Sequence, residues 1–233
     1  MSKPICAVVG VGPGNGSAIA RRFSKEGYRV ALLARTTDFS QTLAHELDGA
    51  QAYACDVTEP ASVEQVFGQI RTGCGDVDAL IYNAGSGSWG TVEEITPEGF
   101  EMNWRVNALG ALLTAQQVIP AMKRSGQGNI IFIGATASRR GAAHTAAFAP
   151  AKAAQRSLAE SMARHLWPAG IHVAVVIIDG VVDLPKTRER MPDKPDEFFV
   201  KPDGVADTVF LLTSQHRSTW SFEVEARPFG ENW

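Results

Sequence analysis

The strongest constraint on this chain's fold is the character of its apolar segments. Ile5–Val9, Tyr28–Ala34, Gln51–Cys55, Val77–Tyr82, Asn129–Ile133 and Ile171–Ile178 are near-continuous apolar runs rather than apolar/polar alternations. That composition is what parallel strands covered on both faces require. Helical patterns lie between the runs. Ser17–Glu26 follows the first, and Asp38 is placed to cap a helix carrying Phe39, Leu43 and Leu47. Val63, Val66, Phe67 and Ile70 follow a start signal at Thr58-Glu59-Pro60. A long helical region runs from Pro97 to about Lys123 and stops near Gly126. Another runs from about Ala149 to Trp167, ended by Pro168 and Gly170. Strand–helix–strand units joined by right-handed crossovers build a doubly wound α/β sheet. At 233 residues the chain is expected to form one domain, 1–233.

Two segments depart from this rhythm. Trp220, Phe222, Val224 and Ala226 alternate with Ser221, Glu223 and Glu225, which predicts a strand with one wet face at a sheet edge. Gly180–Pro202 holds Pro185, Pro192, Pro195 and Pro202 together with Met191, Phe198 and Phe199. It is too long for an ordinary connection and is expected to be a lid or substrate loop.

The first apolar run leads into Gly10-Val11-Gly12-Pro13-Gly14-Asn15-Gly16, and a helix leads out. Strand, glycine turn and helix together form a phosphate-binding context, and the whole reads as a Rossmann-type sheet with helices on both faces. A diphosphate can sit on backbone N–H groups at a helix N-terminus only where no Cβ stands in the way. The spacing is Gly10-x-x-x-Gly14-x-Gly16, because Asn15 occupies the place of the third glycine of Gly-x-Gly-x-x-Gly.

Composition narrows the function classes. The formal net charge is −3 and the basic residues form no run, so neither nucleic acid nor an anionic membrane is an expected partner. Cys6, Cys55 and Cys74 lack metal-ligand spacing and read as reduced thiols. No leader sequence and no run of about 18 apolar residues is present, so a cytoplasmic protein is expected.

Further along, the motifs resemble the short-chain dehydrogenase/reductase family, from about Ile5 to Ala226. The carriers are the glycine spacing, Asp56-Val57 after the third strand, Asn83-Ala84-Gly85 after the fourth, Asn107 in Arg105-Val106-Asn107-Ala108-Leu109-Gly110, and Lys152. The resemblance implies a nicotinamide dinucleotide bound by Gly10, Gly14, Asn15, Gly16, Asp56, Val57, Asn83, Ala84, Gly85 and Lys152. It also implies a homodimer or homotetramer acting on a small-molecule substrate. An acidic residue at the end of the second strand would bind a ribose 2′-hydroxyl and repel a 2′-phosphate. This chain has Ala34 followed by Arg35, Thr36 and Thr37, which favours NADP(H) over NAD(H).

The resemblance fails at the catalytic positions. The family's tyrosine lies four residues before its lysine, and its serine thirteen before the tyrosine. Counting back from Lys152 gives Phe148 and then Ala135. Tyr82 stands in place of the first of two asparagines, and of the three tyrosines it alone ends a strand near the cleft; it reads as a packed aromatic. Asn107, Lys152 and Ser138 are the expected catalytic set, Ser138 as a displaced hydrogen-bond donor, with Thr136 and His144 as further candidates. Asp179 replaces the family's proline before Gly180, and Leu184 its threonine; Asp179 and Asp183 would need pairing or solvent. Three readings follow: an NADP(H)-dependent oxidoreductase with an altered site acting on a small apolar carbonyl or alcohol, an NADP(H)-binding sensor without catalysis, and a double-bond reductase. The last ranks lowest, because its branch places tyrosine seven before the lysine, where this chain has Thr145.

Overall fold

A computed structural model describes residues 3–230. Seven strands form one parallel sheet: β1 (Ile5–Val9), β2 (Arg29–Ala34), β3 (Gln51–Ala54), β4 (Ala79–Tyr82), β5 (Gly128–Ala135), β6 (Ile171–Ile178) and β9 (Glu223–Ala226). Their order across the sheet is β3-β2-β1-β4-β5-β6-β9. β1 carries the physical reason for its own sequence. Ile5, Ala7 and Val9 enter the core on one face, and Cys6 and Val8 enter the core on the other. A run buried on both sides has no place for a polar residue.

The helices divide between the faces accordingly. α3 (Pro60–Gly73), α5 (Gly110–Ser125) and α6 (Phe148–Leu166) cover one face, where Val63, Val118 and Ala159 join the core. α1 (Asn15–Lys25), α2 (Asp38–Glu46) and α8 (Pro202–Thr213) cover the other through Ile19, Leu43 and Val209. The strand order reverses between β1 and β4, the topological switch point where open α/β sheets bind ligands beyond the C-terminal strand ends. No helix among the described residues is long and apolar enough to cross a membrane.

Several expectations are corrected. Asp38 is the first residue of α2 rather than its cap; Thr37 holds that position, with no side-chain cap bond. The helical region after Pro97 is not continuous: α4 (Pro97–Trp104) passes into a π-helical turn, Arg105–Leu109, before α5 begins. α8 was not foreseen, although Val205, Ala206, Val209 and Leu212 follow Pro202-Asp203 at helical spacing.

The edge strand does pair with β6, but its four residues are all half-buried. Glu223 is not left to solvent, because Arg139 and Arg156 hold it. Trp220 lies before the strand and stacks on His172 at 4.7 Å between ring centroids. The 180–202 segment is structured. β7 (Val181–Val182) pairs with β8 (Phe199–Val200), and α7 (Pro185–Arg190) lies between them.

Candidate active site

The chain leaves β1 and turns at Gly10, which has φ 90°. The N–H groups of Gly10 and Val11 donate to the Leu33 carbonyl at 2.8 and 3.0 Å. Asn83 Nδ2 donates to the Gly10 carbonyl at 2.7 Å. The turn is thus stitched to the ends of both neighbouring strands. Gly14, at φ 117°, caps α1; Ser17 Oγ accepts from its N–H at 3.3 Å. The first-turn N–H groups of a helix have no intrahelical partners, and with the helix dipole they favour an anion.

The glycines do not all serve the same purpose, which corrects the expectation that they keep space for a ligand. A Cβ on Gly10 would lie 2.5 Å from Ala84 Cα, and one on Gly16 would lie 2.7 Å from the Gly10 carbonyl oxygen. Those two are glycines because backbone packs on backbone. A Cβ on Gly14 would meet the Leu184 side chain, whereas one on Gly12 would meet nothing within 4 Å.

In front of the turn lies a cleft of about 470 Å³. Gly10, Asn15, Gly16, Arg35, Asp56, Val57, Asn83, Ala84 and Gly85 all line it, as do Thr36, Ser86, Met102 and Leu184. Gly14 and Lys152 are not among the lining residues. Arg35 is exposed at the end of β2. The Asp56 carboxylate accepts from the Thr58 hydroxyl at 2.7 Å and from the Thr58 N–H at 2.9 Å. These bonds, with smaller contributions from Arg35 and Arg105, hold it below the usual carboxylate range. Leu184 was expected only as a departure from a pattern; its place in the cleft wall comes from the 180–202 segment folding back over the glycine turn.

Behind Gly85 lies a buried polar cluster. Asn107 sits in the π-helical turn, and its Nδ2 donates to Ser86 O and Asn103 O, both at 2.9 Å. Its Oδ1 is buried without a partner among the described residues. Lys152, on the first turn and a half of α6, is 5% exposed. Its ammonium donates to Ile133 O at 2.9 Å and Gln155 Oε1 at 3.2 Å, which leaves one of three N–H groups over. Burial pulls its pKa down to about 8. A Cβ on Gly85 would stand 3.5 Å from Asn107 Oδ1 and 3.8 Å from Lys152 Nζ. The two polar atoms therefore converge on the bare backbone at the cleft wall.

A π-helical turn disturbs the regular carbonyl pairing of a helix. Here two carbonyls of that turn are bonded by side chains from outside it. Tyr82, fully buried, donates its hydroxyl to Val106 O, and Gln155 Nε2 donates to Asn107 O at 3.0 Å. Tyr82 is thus a packed aromatic, with burial raising its pKa. Gln155 was missed, although it lies three residues after Lys152 on one helix, a spacing at which side chains meet.

The remaining candidates lie at the end of β5. Ala135 donates its N–H to Ser138 Oγ at 3.1 Å. Ser138 is buried, closes the turn 136–138, and does not line the cleft. The Thr136 hydroxyl donates to Asp179. His144 is exposed, its carbonyl accepting from the Gly90 N–H at 2.9 Å. Phe148 opens α6, with its ring 5.2 Å from that of Trp89, which is 65% exposed.

Both aspartates find partners. Burial would push the Asp179 carboxyl up, but Thr136, Arg227 and Arg140 outweigh it and hold the pKa low. Asp183 is bound by Arg188 at 2.6 Å and Lys201 at 2.6 Å, which hold it well below the usual range.

Comparison with known proteins agrees with this geometry. The family model for short chain dehydrogenase matches residues 4–194. The 3-oxoacyl-(acyl-carrier-protein) reductase MabA of Mycobacterium tuberculosis is 31% identical over 219 residues, covering 91% of this chain and 85% of the relative. The sorbitol dehydrogenase of Cereibacter sphaeroides is 34% identical over 178 residues, covering 76% and 69% respectively. Among solved structures, the actinorhodin polyketide ketoreductase with NADPH superposes with a TM-score of 0.89 at 26% identity, covering 98% of both chains. An alcohol dehydrogenase from Thermococcus sibiricus complexed with 5-hydroxy-NADP gives 0.86 at 27%, again covering 98% of both.

Proposed function

Since the chain belongs to the short-chain dehydrogenase family, we propose that it is an NADP(H)-dependent oxidoreductase acting on a small apolar carbonyl or alcohol, with an active site that lacks the family's tyrosine and serine. The observation that carries this reading is the 470 Å³ cleft, which brings the glycine turn, Arg35, Asp56 and Gly85 to one surface. The residues present fit a dinucleotide. The bare backbone at Gly12 and the first-turn N–H groups of Asn15 and Gly16 suit a diphosphate. Asp56 and Val57 suit an adenine. The exposed Arg35 guanidinium can fork onto a 2′-phosphate. The unspent Lys152 N–H and the orphaned Asn107 Oδ1 suit a ribose or its neighbouring amide.

When bound, the dinucleotide supplies or accepts the hydride. This chain's own residues hold it, exclude water and orient the substrate. Phe148 has no proton to give, so Phe148 and Trp89 act as an apolar wall. Ser138, the displaced donor expected from the sequence, is buried in the turn 136–138 outside the cleft and is not assigned that part. The 180–202 segment is proposed as the lid, with Leu184 over the glycine turn. The protein is proposed to work in the cytoplasm as a homodimer or homotetramer.

A positioned acid contributes about 10²–10⁴-fold in rate, roughly 3–5 kcal/mol of barrier. Its absence favours a second reading, an NADP(H)-binding sensor without turnover. Calorimetric titration with NADPH and NADH, followed by turnover on aldehydes, ketones and enones, tests the proposal. NADPH binding more tightly than NADH, with slow turnover that Phe148→Tyr raises by about 10²-fold or more, is the expected result. NADPH binding without turnover in either protein would leave the sensor reading in its place.

A further inference from the structure

Gln155 is 1% exposed and lies on the third residue after Lys152 in α6. Both ends of its amide are committed. Oε1 accepts from the Lys152 ammonium at 3.2 Å, and Nε2 donates to the Asn107 carbonyl at 3.0 Å. One planar group therefore spans two elements that are separate in sequence. We propose that Gln155 is a positioning residue, whose amide joins Lys152 and the π-helical turn into one unit so that the remaining ammonium N–H and Asn107 Oδ1 face the Gly85 backbone together. The function assigned to that unit rests on the reading given under Proposed function; the linkage itself does not.

The physical argument is one of satisfaction. A buried ammonium must spend its donors or lose its charge. Ile133 O takes one donor and Gln155 Oε1 a second, so the third is directed by elimination. A leucine at 155 would leave two buried polar groups short of a partner, the ammonium and the Asn107 carbonyl, each worth about 1–3 kcal/mol.

Among the described residues, no charged side chain competes for this role. β5 carries none. Arg156 on α6 is held by Glu223 and Glu160. Arg105 on the π-helical turn reaches Glu101 and Thr58 O. Asp179 beyond β6 is held by Thr136, Arg140 and Arg227, and His172 in β6 bonds the Leu212 and Ser221 carbonyls. Burial alone perturbs Lys152.

The test is made first on the protein without nucleotide. Lysine side chains are labelled with ¹³C, the Lys152 signal is identified by its absence from Lys152→Met, and its titration is followed by NMR. Gln155→Leu should lower the titration midpoint of Lys152 by about one pH unit or more, and Gln155→Glu, which keeps the shape and adds a charge, should raise it. NADPH dissociation constants are then measured from pH 6 to 10. The pH at which affinity falls should move with the NMR midpoint in each variant. Gln155→Glu, close in shape to the native residue, carries the test if Gln155→Leu does not fold. A Lys152 midpoint unmoved in the folded variants overturns the proposal. A midpoint that moves as stated in a protein that never binds NADPH upholds the linkage and overturns the functional reading instead.

Discussion

Replacing Lys152 by methionine should remove a pH-dependent cost from the free protein and cripple its ligand-bound form. The size follows from the site. Burial lowers the ammonium pKa from 10.5 to about 8, and 2.5 units at 1.36 kcal/mol each make about 3 kcal/mol of cost at neutral pH. Methionine fills similar volume without the charge. It leaves Ile133 O and Gln155 Oε1 short of one donor each, at about 1–3 kcal/mol apiece. At neutral pH the two effects offset each other to within about 3 kcal/mol, so the magnitude alone does not set the sign. The pH dependence gives the sharper sign. The folded pKa lies below the unfolded one, so as pH falls the unfolded chain takes up the proton first. Native stability from this group is complete above pH 10.5 and is lost as pH falls to about 8. The stability of Lys152→Met relative to the wild type should therefore be highest below pH 8 and fall by about 2–3 kcal/mol towards pH 10. Urea unfolding of both proteins at pH 7, 8.5 and 10 measures it. NADPH at a hundred times its dissociation constant should add about 2.7 kcal/mol to the wild type and much less to the variant. A stability difference that does not change with pH would refute the reasoning.

The other expectations concern separate parts of the cleft. Gly10→Ala, at φ 90° and facing Ala84 Cα at 2.5 Å, should lose about 2–4 kcal/mol in denaturant unfolding, whereas Gly12→Ala should stay within about 0.5 kcal/mol. Equal losses in the two would show that packing does not set the glycines. Tyr82→Phe strands the Val106 carbonyl and should cost about 1–3 kcal/mol while weakening NADPH binding, read by unfolding and by titration. Arg35→Ala should weaken NADPH by at least about tenfold and leave NADH nearly unchanged; equal weakening of both would remove Arg35 from the 2′-phosphate.

Much of the fold was legible because burial on two faces writes itself into strand composition. β1 and β6 match their apolar runs from end to end. The cleft was legible for the same reason, since the motifs at Gly10, Asp56 and Asn83 all follow strands whose C-terminal ends must meet. Three things were hidden. The π-helical turn leaves no periodic signature, because five residues are too few to reveal a change of phase. The separate purposes of the glycines depend on which backbone lies opposite, as Ala84 does for Gly10. Gln155 reads as an ordinary polar residue until Asn107 O is seen across from it. Ser138 reads as a hydroxyl near the cleft, but it is buried and closes the turn that begins at Thr136.

The π-helical turn also leaves the site one small genetic step from loss. Such a turn holds one residue more than a turn of α-helix and absorbs it locally, so removing one residue from Arg105–Leu109 would restore a regular helix and leave the phase of α5 unchanged. Ala111, Ala115, Val118 and Met122, which lie in the core, would keep their places, while Asn107 would lose the setting in which it meets Ser86 and Gln155. The stability of the core therefore does not guard the irregularity; only the polar cluster around Asn107 does.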